Sequence, residues 1–184
     1  MNTLKPLSFN EAQSESQKIF TSIKAKVGKL PNLYAAMGVS DKLLGGYLAF
    51  SETLKSGEFS GKEYEAIALA TSQANNCEYC ISAHTTLGKM QGFSESETVE
   101  LRQNSSTDAK LDALVNLASE MTNKQGHPST LNINAFLNAG YSKAAFAELI
   151  AIVTIITLTN YIYHNGNFEI DFPIAQALNN KQVA

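Results

Sequence analysis

The sequence predicts an all-α protein of eight or nine helices joined by short loops. Three observations favour this fold class. Ser-x-x-Glu capping boxes recur along the chain, apolar residues follow them at helical spacing, and no Asn-Gly turn between alternating runs indicates a β-hairpin. The 184 residues are enough for one domain with a sizeable core. We therefore expect a single domain over residues 1–184, with residues 165–184 as a C-terminal arm.

Capping boxes predict the starts of three helices. In each box the serine oxygen accepts from an early backbone N–H, and the glutamate bonds back to the serine N–H. The boxes lie at Ser8–Glu11, Ser60–Glu63 and Ser94–Glu97. The apolar stripe after the first box consists of Ile19, Phe20, Ile23 and Val27, and the stripe after the second consists of Ile67, Leu69 and Ala70.

Two further helices are predicted from apolar spacing. One is expected from about Thr107, with a stripe formed by Leu111, Leu114, Val115 and Ala118. The stretch 148–159 is rich in β-branched residues, so its composition alone also fits a buried strand. We interpret it as helix because Ser142 offers an N-cap and the pattern is longer than a typical strand. The tail after Asn165 contains apolar residues, and we expect an extended arm that packs within the subunit or across an interface.

Composition excludes several classes of function. The net charge of −3 and the pI near 5.6 give no electrostatic basis for nucleic-acid binding. The first residues contain no apolar stretch that resembles a secretory signal. The most apolar run, 149–158, is too short to span a bilayer and indicates a buried helix. We therefore expect a soluble cytoplasmic protein with no nucleic-acid and no membrane partner.

The segment 65–84 holds both cysteines of the chain and one of its three histidines. Asparagine is a poor residue for a helix interior and a good one for a helix start, so Asn75-Asn76 predicts a break between two helices. We expect the first helix to end near Ala74. The second helix is then expected to begin at Asn76, which places Cys77 in its first turn.

Helical geometry brings three reactive side chains to one face of the second helix. Cys77, Cys80 and His84 fall within about 60° of one another. The two cysteines are close enough for a reversible disulfide, and His84 lies one turn from Cys80. A helix N-terminus stabilises a thiolate and the imidazole can take its proton, while Glu65 could orient that imidazole. One cysteine then resolves the sulfenic acid or mixed disulfide formed on the other.

The two cysteines could also form a metal site or an inert core pair. Structural zinc needs four ligands, whereas this chain offers two cysteines and His84, with its other histidines distant in sequence. A c-type haem is excluded because Ile81, rather than histidine, follows Cys80. Inert buried cysteines need neither a helix N-terminus nor a histidine one turn away, so the presence of both features argues against an inert core pair.

The pattern Glu-x11-Cys-x2-Cys-x3-His, formed by Glu65, Cys77, Cys80 and His84, resembles the alkylhydroperoxidase D (AhpD) branch of the carboxymuconolactone decarboxylase family. A weaker match within residues 159–173 is similar to a C-terminal signature of peroxidase-related members. The strong match covers about twenty residues and the weak one about fifteen. The rest of the chain agrees only in length and helical character.

The resemblance implies an all-α, AhpD-like helical bundle that forms a symmetric homo-oligomer, either a trimer or a hexamer of dimers or trimers. It implies reduction of peroxides or small disulfides, with a dithiol as the reductant and no cofactor or metal. Carried onto this chain, Cys80 attacks the substrate and Cys77 resolves the intermediate. Glu65 and His84, with a water, form the proton relay.

Two further residues are given supporting roles. The best-studied family pattern has a histidine directly before the second cysteine, and this chain has Tyr79 there. A tyrosine cannot act as a base near neutral pH, so we expect weaker peroxidase activity or a preference for disulfides. His164 is a candidate for the edge of the pocket, and His127 is given no role.

Two competing hypotheses belong to other functional classes. A non-enzymatic helical oligomer would use the cysteine pair to sense redox state or hold a metal, and it predicts oxidation without turnover or a co-purifying metal. An enzyme acting on a small lactone or ketone predicts activity that survives loss of both cysteines.

Overall fold

The computed structural model describes residues 3–178 and confirms the all-α fold class. Over that range it contains nine α-helices, a 3₁₀ turn at Phe9–Glu11 and no strand. The helices are α1 (Ser14–Val27), α2 (Asn32–Met37), α3 (Asp41–Lys55), α4 (Gly61–Ala74), α5 (Glu78–Met90), α6 (Glu95–Arg102), α7 (Ala109–Asn123), α8 (Thr130–Asn138) and α9 (Lys143–Gly166).

Helix α4 forms the centre of the bundle. It packs against α5, α6, α7 and α9, and every residue from Tyr64 to Ser72 is buried. The sequence indicates only one apolar stripe on this helix. Alanines between the larger residues let neighbouring helices approach α4 from several sides, so its burial is nearly continuous. This central position carries Glu65 into the interior of the protein.

The second and third capping boxes are confirmed as helix starts. Ser60 accepts from the N–H of Glu63 at the start of α4, and Ser94 does the same for Glu97 at the start of α6. Ser142 is likewise confirmed as the N-cap of α9. These local signals succeed because each bond joins residues only three positions apart.

The first box forms but does not start a helix where it was predicted. Ser8 and Glu11 enclose only the 3₁₀ turn, since the backbone is extended at Ala12 and Gln13, and α1 begins at Ser14. Val27, expected on the apolar stripe of α1, is exposed at its end. Helix α7 begins at Ala109, two residues after the predicted start at Thr107, because Asp108 is its N-cap.

Helix α9 confirms the helical interpretation of 148–159. It runs for 24 residues and is long and apolar enough to cross a membrane by length and composition alone. Half of its most apolar 18-residue window is buried in the chain, where the helix packs against α2, α3, α4, α5 and α7. We therefore interpret α9 as a core helix of the bundle.

The buried apolar residues form two clusters. The aliphatic cluster joins α4, α7 and α9 and includes Leu69, Leu114 and Ile152. The cysteine cluster joins α1, α2, α3 and α5 to the end of α9, and it includes Cys77 and Cys80.

The chain after α9 forms the predicted extended arm, although the arm begins at Asn167 rather than at residue 165 because α9 continues to Gly166. Asn167 ends the helix in the left-handed conformation, with φ of 45°. Three apolar arm residues then pack, partly buried, on the cysteine cluster of the same chain; they are Phe168, Ile170 and Phe172. Residues 179–184 of the predicted arm lie outside the described part of the chain.

Candidate active site

The two cysteines lie where α5 begins. Asn75 ends α4, and Asn76 takes the left-handed conformation with φ of 53°, which asparagine tolerates better than most residues. Cys77 is the N-cap of α5, and its Sγ accepts from the Cys80 N–H at 3.3 Å. The predicted start of α5 at Asn76 is therefore wrong by two residues, and Cys77 lies just before the first turn rather than in it. Its sulfur still faces a backbone donor at the helix N-terminus.

Cys77 and Cys80 form a disulfide in this structure. Their Cα atoms lie 5.3 Å apart, within the usual range for a bridged pair. Both residues are buried, at 0% and 2% exposed respectively. The predicted pairing geometry is therefore present, and both cysteines are almost completely shielded from solvent.

His84 and Glu65 form the hydrogen-bonded pair that the motif predicts. Nδ1 of His84 on α5 lies 2.7 Å from Oε2 of Glu65 on α4. Because an ionised carboxylate only accepts hydrogen bonds, the proton of a neutral His84 ring resides on Nδ1 and leaves Nε2 as the basic nitrogen. Glu65 thereby fixes both the tautomer and the ring orientation of His84, which suits a general base.

A cavity of about 70 Å³ lies beside this pair. Cys80 and His84 line it, and Cys77 does not. The remaining walls are mostly apolar and aromatic, and they consist of Pro31, Leu33, Tyr34, Tyr47, Tyr79, Ala83, Leu87, Thr159 and Phe172. Of the two sulfurs, Cys80 is therefore the one that a small molecule in the cavity would meet.

Two tyrosines in this wall escaped the sequence analysis. Tyr34 on α2 and Tyr47 on α3 have ring centroids 5.9 Å apart. Burial raises the pKa of Tyr47 well above its ordinary value, and burial, opposed by a hydrogen bond to Tyr47, raises the pKa of Tyr34. Both hydroxyls are thus neutral at physiological pH and can donate hydrogen bonds. No local motif marks them, because helix packing alone brings them to His84.

Tyr79 is a wall of the cavity and an anchor for the arm. It is 1% exposed, and its hydroxyl donates to Oδ1 of Asp171 at 2.6 Å while accepting from the Leu33 N–H at 3.2 Å. Burial and the Asp171 contact raise the pKa of Tyr79 far above its ordinary value, so the phenol stays protonated. Its hydroxyl thus joins α5, α2 and the arm.

The structure does not bring the other two histidines to the cavity. His164 is exposed on the last turn of α9 and is not among the residues that line the cavity. His127 is exposed in the loop before α8, as expected. Among residues 3–178, no group of three or more His, Cys, Asp and Glu side chains is arranged to hold a metal ion.

Comparison with known sequences identifies relatives of this segment. Residues 42–107 match the model of the carboxymuconolactone decarboxylase family. An alkyl hydroperoxide reductase of Mycobacterium tuberculosis is 27% identical over 88 residues, which are 47% of this chain and 26% of that protein. The match therefore spans about a quarter of the curated relative's length.

Three solved structures share the fold over nearly the whole chain. The AhpD-core, peroxidase-related protein of Ralstonia eutropha JMP134 has a TM-score of 0.80 at 16% identity and covers 93% of this chain and 94% of its own. A peroxidase-related protein of Silicibacter sp. TM1040 has a TM-score of 0.77 at 21% identity, covering 91% and 92%. A debrominase in complex with 2,3,4-tribromopyrrole has a TM-score of 0.78 at 18% identity, covering 93% and 92%.

Proposed function

We propose that this chain is an AhpD-like member of the carboxymuconolactone decarboxylase family and a thiol-dependent antioxidant oxidoreductase that reduces peroxides or small disulfides. The proposal rests on one observation: the small cavity contacts Cys80 beside the His84–Glu65 pair and does not contact Cys77. This arrangement supports Cys80 as the attacking sulfur and Cys77 as the resolving one. Relatives named as an alkyl hydroperoxide reductase and as peroxidase-related proteins support the same reaction class.

The oxidative half-reaction begins with both thiols reduced. His84 takes the Cys80 proton at Nε2, and the thiolate attacks the terminal oxygen of a hydroperoxide. The O–O bond breaks, the departing alkoxide takes a proton from the imidazolium and leaves as an alcohol, and Cys80 becomes a sulfenic acid. The two electrons gained by the peroxide come from the Cys80 sulfur.

Resolution and reduction complete the cycle. The Cys77 sulfur attacks the Cys80 sulfenic acid, the S–S bond forms, and the hydroxyl leaves as water with the Cys77 thiol proton. An external dithiol then supplies two electrons and two protons and itself becomes a disulfide. A small disulfide substrate follows the same route, since attack by Cys80 gives a mixed disulfide that Cys77 resolves.

The cellular setting is part of the proposal. A dithiol-regenerated peroxidase requires a reducing compartment, which is consistent with a cytoplasmic location. A homo-oligomer, built as a trimer or as a hexamer of dimers or trimers, is supported by exposed apolar residues along one face of α9. These are Ile150, Leu158 and Tyr161, which line a groove of about 440 Å³ between α9 and α7. Light scattering of the purified chain measures the number of subunits directly.

The proposal is tested by steady-state turnover with dithiothreitol as the reductant, using hydrogen peroxide and a small aromatic disulfide as alternative substrates. We expect wild-type turnover to disappear in Cys80→Ser. The matched variant Cys77→Ser, reduced and then freed of dithiothreitol, should consume one equivalent of peroxide and retain a sulfenic acid on Cys80, because the chain then has no second thiol to resolve it. The preferred substrate shows which of the two reactions dominates.

Three outcomes would reject the proposal. Oxidation of Cys77 and Cys80 without turnover of either substrate would favour a redox-sensing oligomer, and a co-purifying metal would favour a metal-holding one. Turnover that survives in the Cys77→Ser/Cys80→Ser double variant would favour lactone or ketone chemistry instead.

A further inference from the structure

The arm is fixed to the site through one carboxylate, Asp171. Its Oδ1 accepts from the Tyr79 hydroxyl at 2.6 Å, and its Oδ2 accepts from the Asn32 N–H at 3.2 Å. The Lys29 ammonium lies 3.4 Å from the same Oδ2. A carboxylate with a phenol donor, a backbone donor and a cation around it has a well-defined position.

Further hydrogen bonds hold the arm on both sides of Asp171. The Asn32 side chain donates to the carbonyl of Glu169 at 3.0 Å. Beyond Asp171, the N–H of Ala175 donates to Ser82 Oγ at 3.2 Å, and the buried Arg102 donates to the carbonyl of Gln176 at 2.7 Å. The arm is therefore attached to α2, α5 and α6 by its backbone as well as by its side chains.

These contacts place Phe172 in the cavity wall. Its ring stands at 89° to the Tyr79 ring, with centroids 5.6 Å apart, and the Lys29 ammonium lies 4.1 Å from the centroid of the Phe172 ring. Phe172 is half-buried, so it lies between the cavity and solvent. It is the residue of the arm that lines the cavity beside Cys80.

The volume enclosed by this wall limits what can reach the sulfur. The cavity holds about 70 Å³. An engineered apolar cavity that binds benzene has a volume of about 150 Å³, roughly twice that of this cavity. The cavity therefore favours hydrogen peroxide or a short alkyl hydroperoxide over a hydroperoxide that carries an aromatic ring.

We propose that Phe172, positioned by the Asp171–Tyr79 bond, is the specificity-determining residue that makes Cys80 react faster with hydrogen peroxide and short alkyl hydroperoxides than with hydroperoxides that carry an aromatic ring. This inference rests on the proposed peroxidase function and adds the size class of its substrate. It also assigns Tyr79 a role: in place of a base between the cysteines, it anchors the residue that closes the cavity.

The inference is tested with the reduced protein and two peroxides of different size. The rate of thiol oxidation is measured with hydrogen peroxide and with cumene hydroperoxide, and the ratio of the two second-order rate constants is compared between variants. For wild type we expect the rate constant with hydrogen peroxide to exceed that with cumene hydroperoxide at least about tenfold. We expect this ratio to fall at least about tenfold in Phe172→Ala, in line with steric discrimination in other pockets.

Phe168→Ala is the matched control. Phe168 is also on the arm and packs its ring on Tyr79, with centroids 5.4 Å apart, but it does not line the cavity. We expect its selectivity ratio to equal that of wild type. Equal oxidation of wild type by both peroxides, or the same ratio in Phe172→Ala and wild type, would overturn the inference while leaving the peroxidase function standing.

A second measurement decides the role of Phe172 even if neither peroxide reacts, which would itself reject the peroxidase function. In a Cys77→Ser background Cys80 is the one remaining thiol of the chain, because the sequence has two cysteines. Methyl and benzyl methanethiosulfonate share a reactive group and differ in size. We expect the methyl reagent to label Cys80 faster, and Phe172→Ala to abolish that difference. Equal labelling by the two reagents before Phe172 is changed would contradict the inference.

Discussion

The aliphatic cluster and the cysteine cluster differ in composition and packing. Leu69, Leu114 and Ile152 in the aliphatic cluster are each 0% exposed, and most of the other residues of this cluster are aliphatic, with Tyr64 and Tyr141 among the exceptions. The cysteine cluster contains the disulfide, Tyr79 and a cavity, and its arm is attached by hydrogen bonds. Close aliphatic packing contributes stability in proportion to buried area, whereas a cavity and hydrogen-bonded tyrosines contribute less stability and provide a place for a substrate.

The polar attachments of the cysteine cluster span long distances in sequence. The hydrogen bonds that fix Tyr79 and Asp171 join residues 46, 92 and 139 positions apart. The cysteine cluster therefore forms only when the ends of the chain meet. Helix α4 links the clusters, since it packs on α7 with one side and presents Glu65 to His84 with another. The comparison indicates that the aliphatic cluster contributes mainly to stability, whereas the cysteine cluster contains the candidate active site.

The largest effect is expected from His84→Asn in the cysteine cluster. The asparagine amide can still donate to Glu65 but cannot take a proton, so the rate of Cys80 oxidation by hydrogen peroxide should fall by about 100-fold or more at neutral pH. Stopped-flow measurement of the reduced protein gives this rate. The deficit should narrow in alkaline buffer, where the thiol ionises without a base; an equal deficit at every pH would show that His84 is not that base.

Leu114→Ala makes the converse change in the aliphatic cluster. Loss of this fully buried side chain should lower the free energy of unfolding by about 2–5 kcal/mol, because the surrounding helices close the space only partly. Urea denaturation of the reduced protein measures the loss. The rate of peroxide oxidation of the folded variant should match wild type, and a large fall in that rate would contradict the division between the two clusters.

Tyr79→Phe tests the polar attachment of the arm. The variant keeps the ring and leaves Asp171 and the Leu33 N–H without their hydroxyl partner, so it should cost about 1–3 kcal/mol of stability. Urea denaturation of Tyr79→Phe and of Leu114→Ala under the same conditions compares the stability that each kind of packing contributes. If the variant is as stable as wild type, the arm is held by Lys29 and its backbone bonds rather than by Tyr79.

The smallest effect is expected in the pH dependence of stability at Glu120. This residue lies on α7 and accepts hydrogen bonds from Ser129 and Asn132 at the start of α8. Hydrogen bonds from Lys124 and from the Ser129 N–H hold the pKa of Glu120 at about 2, against an ordinary value of 4.5. A lowered pKa means that its contribution is complete above pH 4.5 and is lost as the pH falls toward 2. The difference in melting temperature between wild type and Glu120→Gln should therefore shrink over that range. A constant difference would show that the Glu120 charge contributes nothing.

Local sequence was sufficient to predict the parts of this protein that depend on neighbouring residues. The serine caps of α4, α6 and α9 were predictable because each bond spans three residues. The spacing of Glu65, Cys77, Cys80 and His84 similarly identified the residues of the site. The first box at Ser8–Glu11 shows the limit of such signals, because it formed as predicted while the α-helix began at Ser14.

Helix packing, by contrast, determines which sulfur contacts the cavity and what encloses it. Tyr34, Tyr47 and Phe172 come from three separate parts of the chain, and no spacing rule connects them. The start of α5 was predicted wrongly at Asn76, because Asn76 takes the left-handed turn that makes Cys77 the cap. The cause is the same in each case: a cap is satisfied within one turn, whereas burial and cavity shape depend on the packing of all the helices together.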